Sequence, residues 1–373
     1  MGGTHLEQII PANAVKQAAS RLLGQAVSSV TYQAAPLHGG TLGDVRLVTG
    51  LARLASGGEA PVKLVWKRQK KWLRDGDPDS WRREYDLYVS PLEGAFTEAL
   101  RWPACYGAAL EEEETSLWME YIDGVSGEAL TPEMLEEAAY TLGQWQGRLY
   151  RDPAPLGAVT CLLDEGYLGR FHAVWQLQAY PYEMLCSSAS RIPDHVRQLL
   201  RRHPEWDNGK SLEYNYLRSA DYTAPDHLKQ MLIGLDDGAE AVLRRLRKLP
   251  VILCHRDFWI ENIFWTPRGI RLIDWDCAGM GYLGEDIASL VIDDTPLDRQ
   301  LDYYRRLAPA YYRGLGEQMT LPPLEELPIR EIMLLQFGYR ILQGDLFSDD
   351  ADDKAESAAR LQNIFDMKDV SFA

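Results

Sequence analysis

Residues 253–276 read LCHRDFWIENIFWTPRGIRLIDWD. An apolar run, Val251-Ile252-Leu253-Cys254, leads into His255-Arg256-Asp257, and Asn262 follows Asp257 by five residues. That spacing sets an acid and an amide at the two ends of one tight loop. Asn262-Ile263-Phe264-Trp265 and Ile270-Arg271-Leu272-Ile273 then read as paired strands, with Pro267-Arg268-Gly269 supplying the turn. The second strand delivers another acid, Asp274, so the stretch offers two carboxylates and one amide from one short piece of chain.

Working outward toward the N-terminus, Ala12 to Leu23 has helical spacing, with Val15, Ala18, Ala19, Leu22 and Leu23 on one face and Gly24 to end it. Strand-like runs follow at Val30 to Leu37, Val45 to Leu54 and Pro61 to Arg68, with a glycine-rich connection, His38-Gly39-Gly40-Thr41-Leu42-Gly43-Asp44, between the first two. Asp77-Pro78 reads as the cap and first turn of a helix that contains Glu84. Pro103 to Leu110 and Thr115 to Ile122 read as two more strands. The pattern then turns helical: Pro132 to Tyr150, capped by Thr131, carries the stripe Leu135, Ala138, Ala139, Leu142, Trp145 and Leu149. Further helices are expected at His227 to Lys248, within residues 298–344, and from Ala355 to Asp366.

In this order the parts resemble the aminoglycoside phosphotransferase family, which includes choline-kinase-like and other small-molecule kinases. The resemblance runs from about Ala12 to about Gly344. Gly284-Glu285-Asp286-Ile287-Ala288, after Leu272-Ile273-Asp274-Trp275, adds to it. It implies an α+β, protein-kinase-like bilobal fold. A small β-rich lobe would span residues 1–122 and bind nucleotide. A larger, mainly helical lobe would span 123–373, with a helical insertion at about 151–226. The chain departs from the protein-kinase pattern at Trp259, where a Lys is usual, at Trp275-Asp276 in place of Phe-Gly, and in lacking Ala-Pro-Glu after Asp274. It departs from many family members in having Arg256 where they have Gly.

The resemblance implies ATP and Mg²⁺ as cofactors and a role for each part. Asp257 would act on the acceptor hydroxyl as catalytic base, and Asn262 and Asp274 would hold the metal. Gly39, Gly40 and Gly43 would let the backbone approach phosphate oxygens. A strand Lys would contact the α- and β-phosphates. The run Leu64-Val65-Trp66 leads into Lys67, but Lys63 lies on the same side of the strand. Glu84 would hold that ammonium, with Asp86 as the alternative. Peptide groups of Glu120 to Ile122 would meet the adenine edge. Asp286 would brace the catalytic loop from behind, and His255 would anchor it.

The chain has 373 residues, a hydrophobic content of 46% and 11 Trp, ample for two cores. No apolar run approaches the ~20 residues that span a membrane, and the N-terminus does not read as a secretory signal. Five Cys without Cys-x-x-Cys pairs give neither a disulfide framework nor a zinc site, which fits a cytoplasmic protein. The net charge is −16, of which residues 1–120, with 13 basic and 15 acidic side chains, account for only −2. The acidic excess argues against nucleic acid as a partner. It also suits a cationic small-molecule acceptor, or simply solubility. The aromatic residues of the insertion, among them Tyr167, Trp206, Tyr216 and Tyr222, read either as core or as faces for an amine. Two other readings stand beside the small-molecule kinase: a catalytically silent protein on this fold, like spore-coat relatives, and a protein kinase.

Overall fold

The computed structural model describes residues 10–37, 43–74, 76–187, 191–370 and 372. In chain order the elements are α1 (Ala12–Leu23), β1 (Val27–Pro36), β2 (Gly43–Leu54), β3 (Glu59–Lys70), α2 (Ser80–Tyr88), β4 (Leu100–Arg101), β5 (Cys105–Glu111) and β6 (Glu114–Glu120). Then come α3 (Pro132–Arg151), α4 (Tyr167–Trp175), α5 (Tyr182–Cys186), α6 (Asp194–Arg202), α7 (Leu212–Arg218), α8 (Asp226–Leu246), β7 (Val251–Cys254), β8 (Ile263–Thr266) and β9 (Gly269–Leu272). The chain closes with β10 (Gly279–Tyr282), α9 (Glu285–Ile292), α10 (Gln300–Gly316), α11 (Ile329–Phe347) and α12 (Ala351–Asp366). No helix among the described residues is long and apolar enough to cross a membrane. The elements form two compact units. One comprises the described residues up to Leu130 with Pro153–Leu162 and Glu261–Cys277, and the other comprises the rest.

The first unit is built on an antiparallel sheet of order β1-β2-β3-β6-β5. In β3 the alternation decides which side chains serve the core. Val62, Leu64 and Trp66 are buried. Leu64 and Trp66 pack with Val15 and Ala18 of α1 and with Val48 and Trp118. Lys63 and Lys67 occupy the alternate positions and project from the opposite face. Gly24 ends α1 in the left-handed conformation, φ 64°, which lets its N–H bond back to the last turn. A second, three-stranded sheet has the order β4-β9-β8. The helix expected to open at Asp77-Pro78 instead starts at Ser80. Asp77 is withdrawn from capping because its carboxylate pairs with Arg83 in the interior.

The second unit is mainly helical. Thr131 caps α3 as expected, its hydroxyl accepting the Met134 N–H at 3.3 Å. The axes of α3 and α10 approach until backbone meets backbone. A Cβ on Gly143 would lie 2.2 Å from the Tyr311 carbonyl oxygen, and one on Gly314 would lie 2.1 Å from that of Tyr140. A buried polar brace crosses this contact. The Tyr311 hydroxyl donates to Gln146 Oε1 at 2.7 Å, and Gln146 Nε2 donates to Asp286 Oδ2 at 2.6 Å and to the Leu253 carbonyl at 2.9 Å. α12 begins at Ala351, four residues before the expected Ala355. Asp350 caps it by accepting the Asp352 N–H, and the acids at 352 and 353 suit the positive end of the helix. β10, which pairs with β7, has no counterpart in the sequence reading.

Two outcomes test this architecture. Gly314→Ala drives a methyl into a helix carbonyl, so urea denaturation should show a loss of about 1–3 kcal/mol or more. Unchanged stability would mean that the helices do not touch there. Burial pushes the Asp286 carboxyl up to about 6, above its ordinary range. The folded chain therefore holds this proton more tightly than the unfolded one. The stabilisation is complete below about pH 4 and is lost as pH rises through about 6. Wild type should accordingly exceed Asp286→Asn in stability by more at about pH 4.5 than at about pH 7, read from denaturation curves at both values.

Candidate active site

The first unit gathers charge around Lys67. Its place in β3, opposite Val45 of β2 and Leu117 of β6, turns the side chain out of the apolar cluster. The Nζ lies 2.6 Å from Glu84 Oε2 and 2.6 Å from Asp274 Oδ1. Burial by itself would lower the pKa of this amine. The two carboxylates more than offset it and raise the Lys67 pKa well above the ordinary lysine range. Lys63 stands apart from these acids, with its ammonium 3.5 Å from the centre of the Tyr121 ring. Asp86 is engaged by Arg82 at 2.8 and 3.0 Å. Of the alternatives left open by sequence, geometry brings Lys67 and Glu84 together and leaves Lys63 and Asp86 elsewhere.

Asn262 and Asp274 lie at the same end of the β8–β9 hairpin. Ile263 pairs with Leu272, and the Ile273 N–H donates to the Asn262 carbonyl at 3.1 Å, so the amide and the acid flank one ladder. Asp274 has φ 63°, a left-handed conformation that costs a non-glycine residue of order 1–3 kcal/mol and is held only by its surroundings. One such hold is Trp275. Its buried indole donates to the Leu272 carbonyl at 2.9 Å and meets Phe96 and Trp102 edge to face, at 5.4 and 5.8 Å between ring centres. Asp274 is the most open member of the cluster, its side chain 37% exposed against 14% for Lys67.

The sequence reading assigned no role to Asp276, yet it lines the same recess as Lys67, Glu84 and Asp274. Burial, then the nearby Asp274, pushes its carboxyl upward. Its position two residues after Asp274, across a buried Trp, is the signal that could have found it.

The remaining nucleotide-side candidates are distributed as follows. Gly39 and Gly40 lie outside the described residues. Gly43 opens β2 tight against β3, where a Cβ would meet Gln69 Oε1 at 2.8 Å and the Arg68 carbonyl at 2.9 Å. Its missing side chain is thus used against the neighbouring strand. Glu120 ends β6 and its N–H donates to the Ala104 carbonyl at 2.9 Å, so this donor is already spent within the chain. Ile122 lies two residues past the last ladder pair, Leu64 with Glu120.

In the second unit, β7 delivers His255, Arg256 and Asp257. Asp286 accepts the N–H groups of His255 at 3.1 Å and Arg256 at 2.7 Å, which fixes the loop from behind. His255 is fully buried, and its Nδ1 accepts the Asp257 N–H at 3.3 Å. Arg256 has φ 65°. Its guanidinium bonds Glu285 at 2.9 Å and the Asp164 carbonyl at 3.2 Å, and it lies 5.0 Å from the Tyr167 ring centre. Tyr167, Trp206, Tyr216 and Tyr222 are buried, and the faces of Tyr167 and Tyr214 carry the chain's own Arg256 and Arg218.

Comparison with known proteins places the fold and the family. The solved choline kinase of Cryptosporidium parvum Iowa II is similar with a TM-score of 0.51 and 14% identity, over 91% of this chain and 89% of that one. An aminoglycoside phosphotransferase from Alicyclobacillus acidocaldarius is similar with a TM-score of 0.50 and 16% identity, over 99% of this chain and 96% of that one. These likenesses establish the α+β, protein-kinase-like fold. Among curated proteins, the thiamine kinase of Salmonella heidelberg is 38% identical over 79 residues, 21% of this chain and 28% of that protein. The chain spans less than a third of the length of the first curated relatives it matches. Residues 51–317, well over half of the chain, match the phosphotransferase enzyme family. The chain belongs to that family, the APH phosphotransferase family.

Proposed function

We propose that this protein moves the γ-phosphate of ATP, with Mg²⁺, to a hydroxyl group of a small molecule. The observation that carries the reading is the Lys67 ammonium held at 2.6 Å by both Glu84 and Asp274. An ammonium pinned in this way is presented to phosphate oxygens without rotamer loss, and phosphoryl transfer gains most from such positioning. Bound Mg²⁺ would supply neutralisation of charge on the phosphate oxygens. The available donors suit that ion: an accessible carboxylate on Asp274 and an amide on Asn262 are hard oxygen ligands, few enough to leave room for phosphate and water. The carbonyl of Glu120 and the peptide of Ile122 would serve the adenine edge, since the Glu120 N–H is taken.

Asp257 orients the acceptor hydroxyl and accepts its proton. The buried His255 and the Asp286 brace fix this carboxylate's backbone before any acceptor arrives, which is pre-organisation by the chain itself. Nucleotide handling falls mainly to residues 1–122 and acceptor handling to residues 123–373. The acidic excess beyond residue 120 favours a cationic acceptor, such as an amino alcohol or amino sugar. Five free cysteines and the demand for ATP favour a cytoplasmic setting.

The direct test is phosphate transfer by purified protein with Mg-ATP over a panel of amino alcohols, amino sugars, nucleosides and plain sugars. Transfer to peptides alone, with none to the panel, would defeat the reading. Asp257→Ala should lower turnover by about 10²–10⁴-fold while leaving Mg-nucleotide affinity near wild type. Lys67→Met should instead weaken nucleotide binding, as measured by titration with a fluorescent ATP analogue. Wild-type affinity in that variant would remove Lys67 from the site.

A further inference from the structure

We propose that Arg83, held by Asp77, is a positioning residue that sets the Asp274 carboxylate against Lys67. The inference rests on the function proposed above and deepens it. Arg83 precedes Glu84 on α2 and points into the interior, 4% exposed, against an Asp77 that is 2% exposed. Its Nη1 and Nη2 grip the two oxygens of Asp77 at 2.6 and 2.5 Å. The same guanidinium donates to two backbone carbonyls, Asp276 at 2.6 Å and Cys161 at 2.7 Å. A planar fork fixed by one carboxylate becomes a rigid support for the peptides it reaches.

The Asp276 carbonyl lies two residues beyond Asp274, whose left-handed backbone needs to be held. A second grip falls on the same segment. Arg74 donates to Asp276 Oδ2 at 3.0 Å and to Cys277 Sγ at 2.8 Å. The two grips are joined through the chain, since the Asp77 N–H donates to the Arg74 carbonyl at 2.9 Å. Glu84 and Asp274 both meet the Lys67 ammonium, yet they come from α2 and from the turn after β9. Arg83 bonds from α2 to the turn after β9, through its hydrogen bond to the Asp276 carbonyl. It thereby sets the separation of the two acids independently of the ammonium between them.

Removing Arg83 alone would strand a buried Asp77 carboxylate, so the informative variant is the double change Asp77→Leu with Arg83→Met, beside Arg83→Lys. Mg²⁺-dependent binding of a fluorescent ATP analogue, KM and kcat are measured on variants that retain a cooperative thermal transition. Hydrogen exchange of residues 80–88 and 274–277 is followed in parallel. In the double variant the Mg²⁺ concentration for half-maximal binding should rise about tenfold or more. KM for ATP should rise more than kcat falls, and exchange should quicken in both segments together. Arg83→Lys should recover part of each effect. Wild-type Mg²⁺ dependence in the double variant overturns the inference, as does faster exchange in α2 with an unchanged 274–277. If wild type binds no nucleotide, the proposed function fails, and the exchange data alone decide whether Arg83 couples the two segments.

Discussion

A lysine ammonium taken out of water must be answered by opposite charge, and this requirement organises the first unit. Leaving such a group unpaired in the interior costs several kcal/mol. Lys67 meets the demand with two carboxylates drawn from separate places, one on α2 and one on the turn after β9. Local features follow from that meeting. The alternation of β3 turns Lys67 away from the apolar cluster, the late start of α2 leaves Asp77 for Arg83, and the burial of Trp275 fixes the turn that carries Asp274. The three charges also make the cluster net negative, which suits a divalent cation better than a simple surface ion pair would.

Much of this was legible in the sequence where spacing alone dictates geometry. Periods of two and of 3.6 residues located the sheet and α3, and the Pro267-Arg268-Gly269 turn forced Asn262 and Asp274 onto one hairpin. The family resemblance marked which of the many acids to follow. What escaped the reading depends on partners distant in the chain. Asp77 before a Pro looks like a helix cap, and only burial beside Arg83 shows otherwise. Lys63 and Lys67 share a face of β3, so alternation could not separate them, whereas the reach of Glu84 does. β10 holds two glycines in four residues and has weak strand character of its own. It is a strand because β7 is there to pair with it.

The two loops assigned to the proposed chemistry share one backbone property. Arg256 and Asp274 are both left-handed at residues with side chains, φ 65° and 63°. A glycine would adopt either conformation without penalty. Here the cost at Arg256 is offset by what its guanidinium does: it satisfies a buried Glu285, which in turn accepts the Tyr282 N–H at 2.8 Å.

That arrangement bears on how the sequence is free to diverge. Gly279 sits where a methyl group would lie 2.5 Å from both Arg256 Nη1 and Leu163 Cβ and 2.7 Å from the Leu163 carbonyl oxygen, so the position is closed to other residues whether or not the arginine is present. Placing glycine at 256 relaxes the backbone but leaves the Glu285 carboxylate without its counter-ion, and changing Glu285 first leaves the arginine without its own. Positions 256 and 285 therefore constrain each other, as the two ends of one buried ion pair. A single change that removes either charge leaves the other buried without its counter-ion, so the pair is exchanged for apolar residues at lower cost together than one at a time.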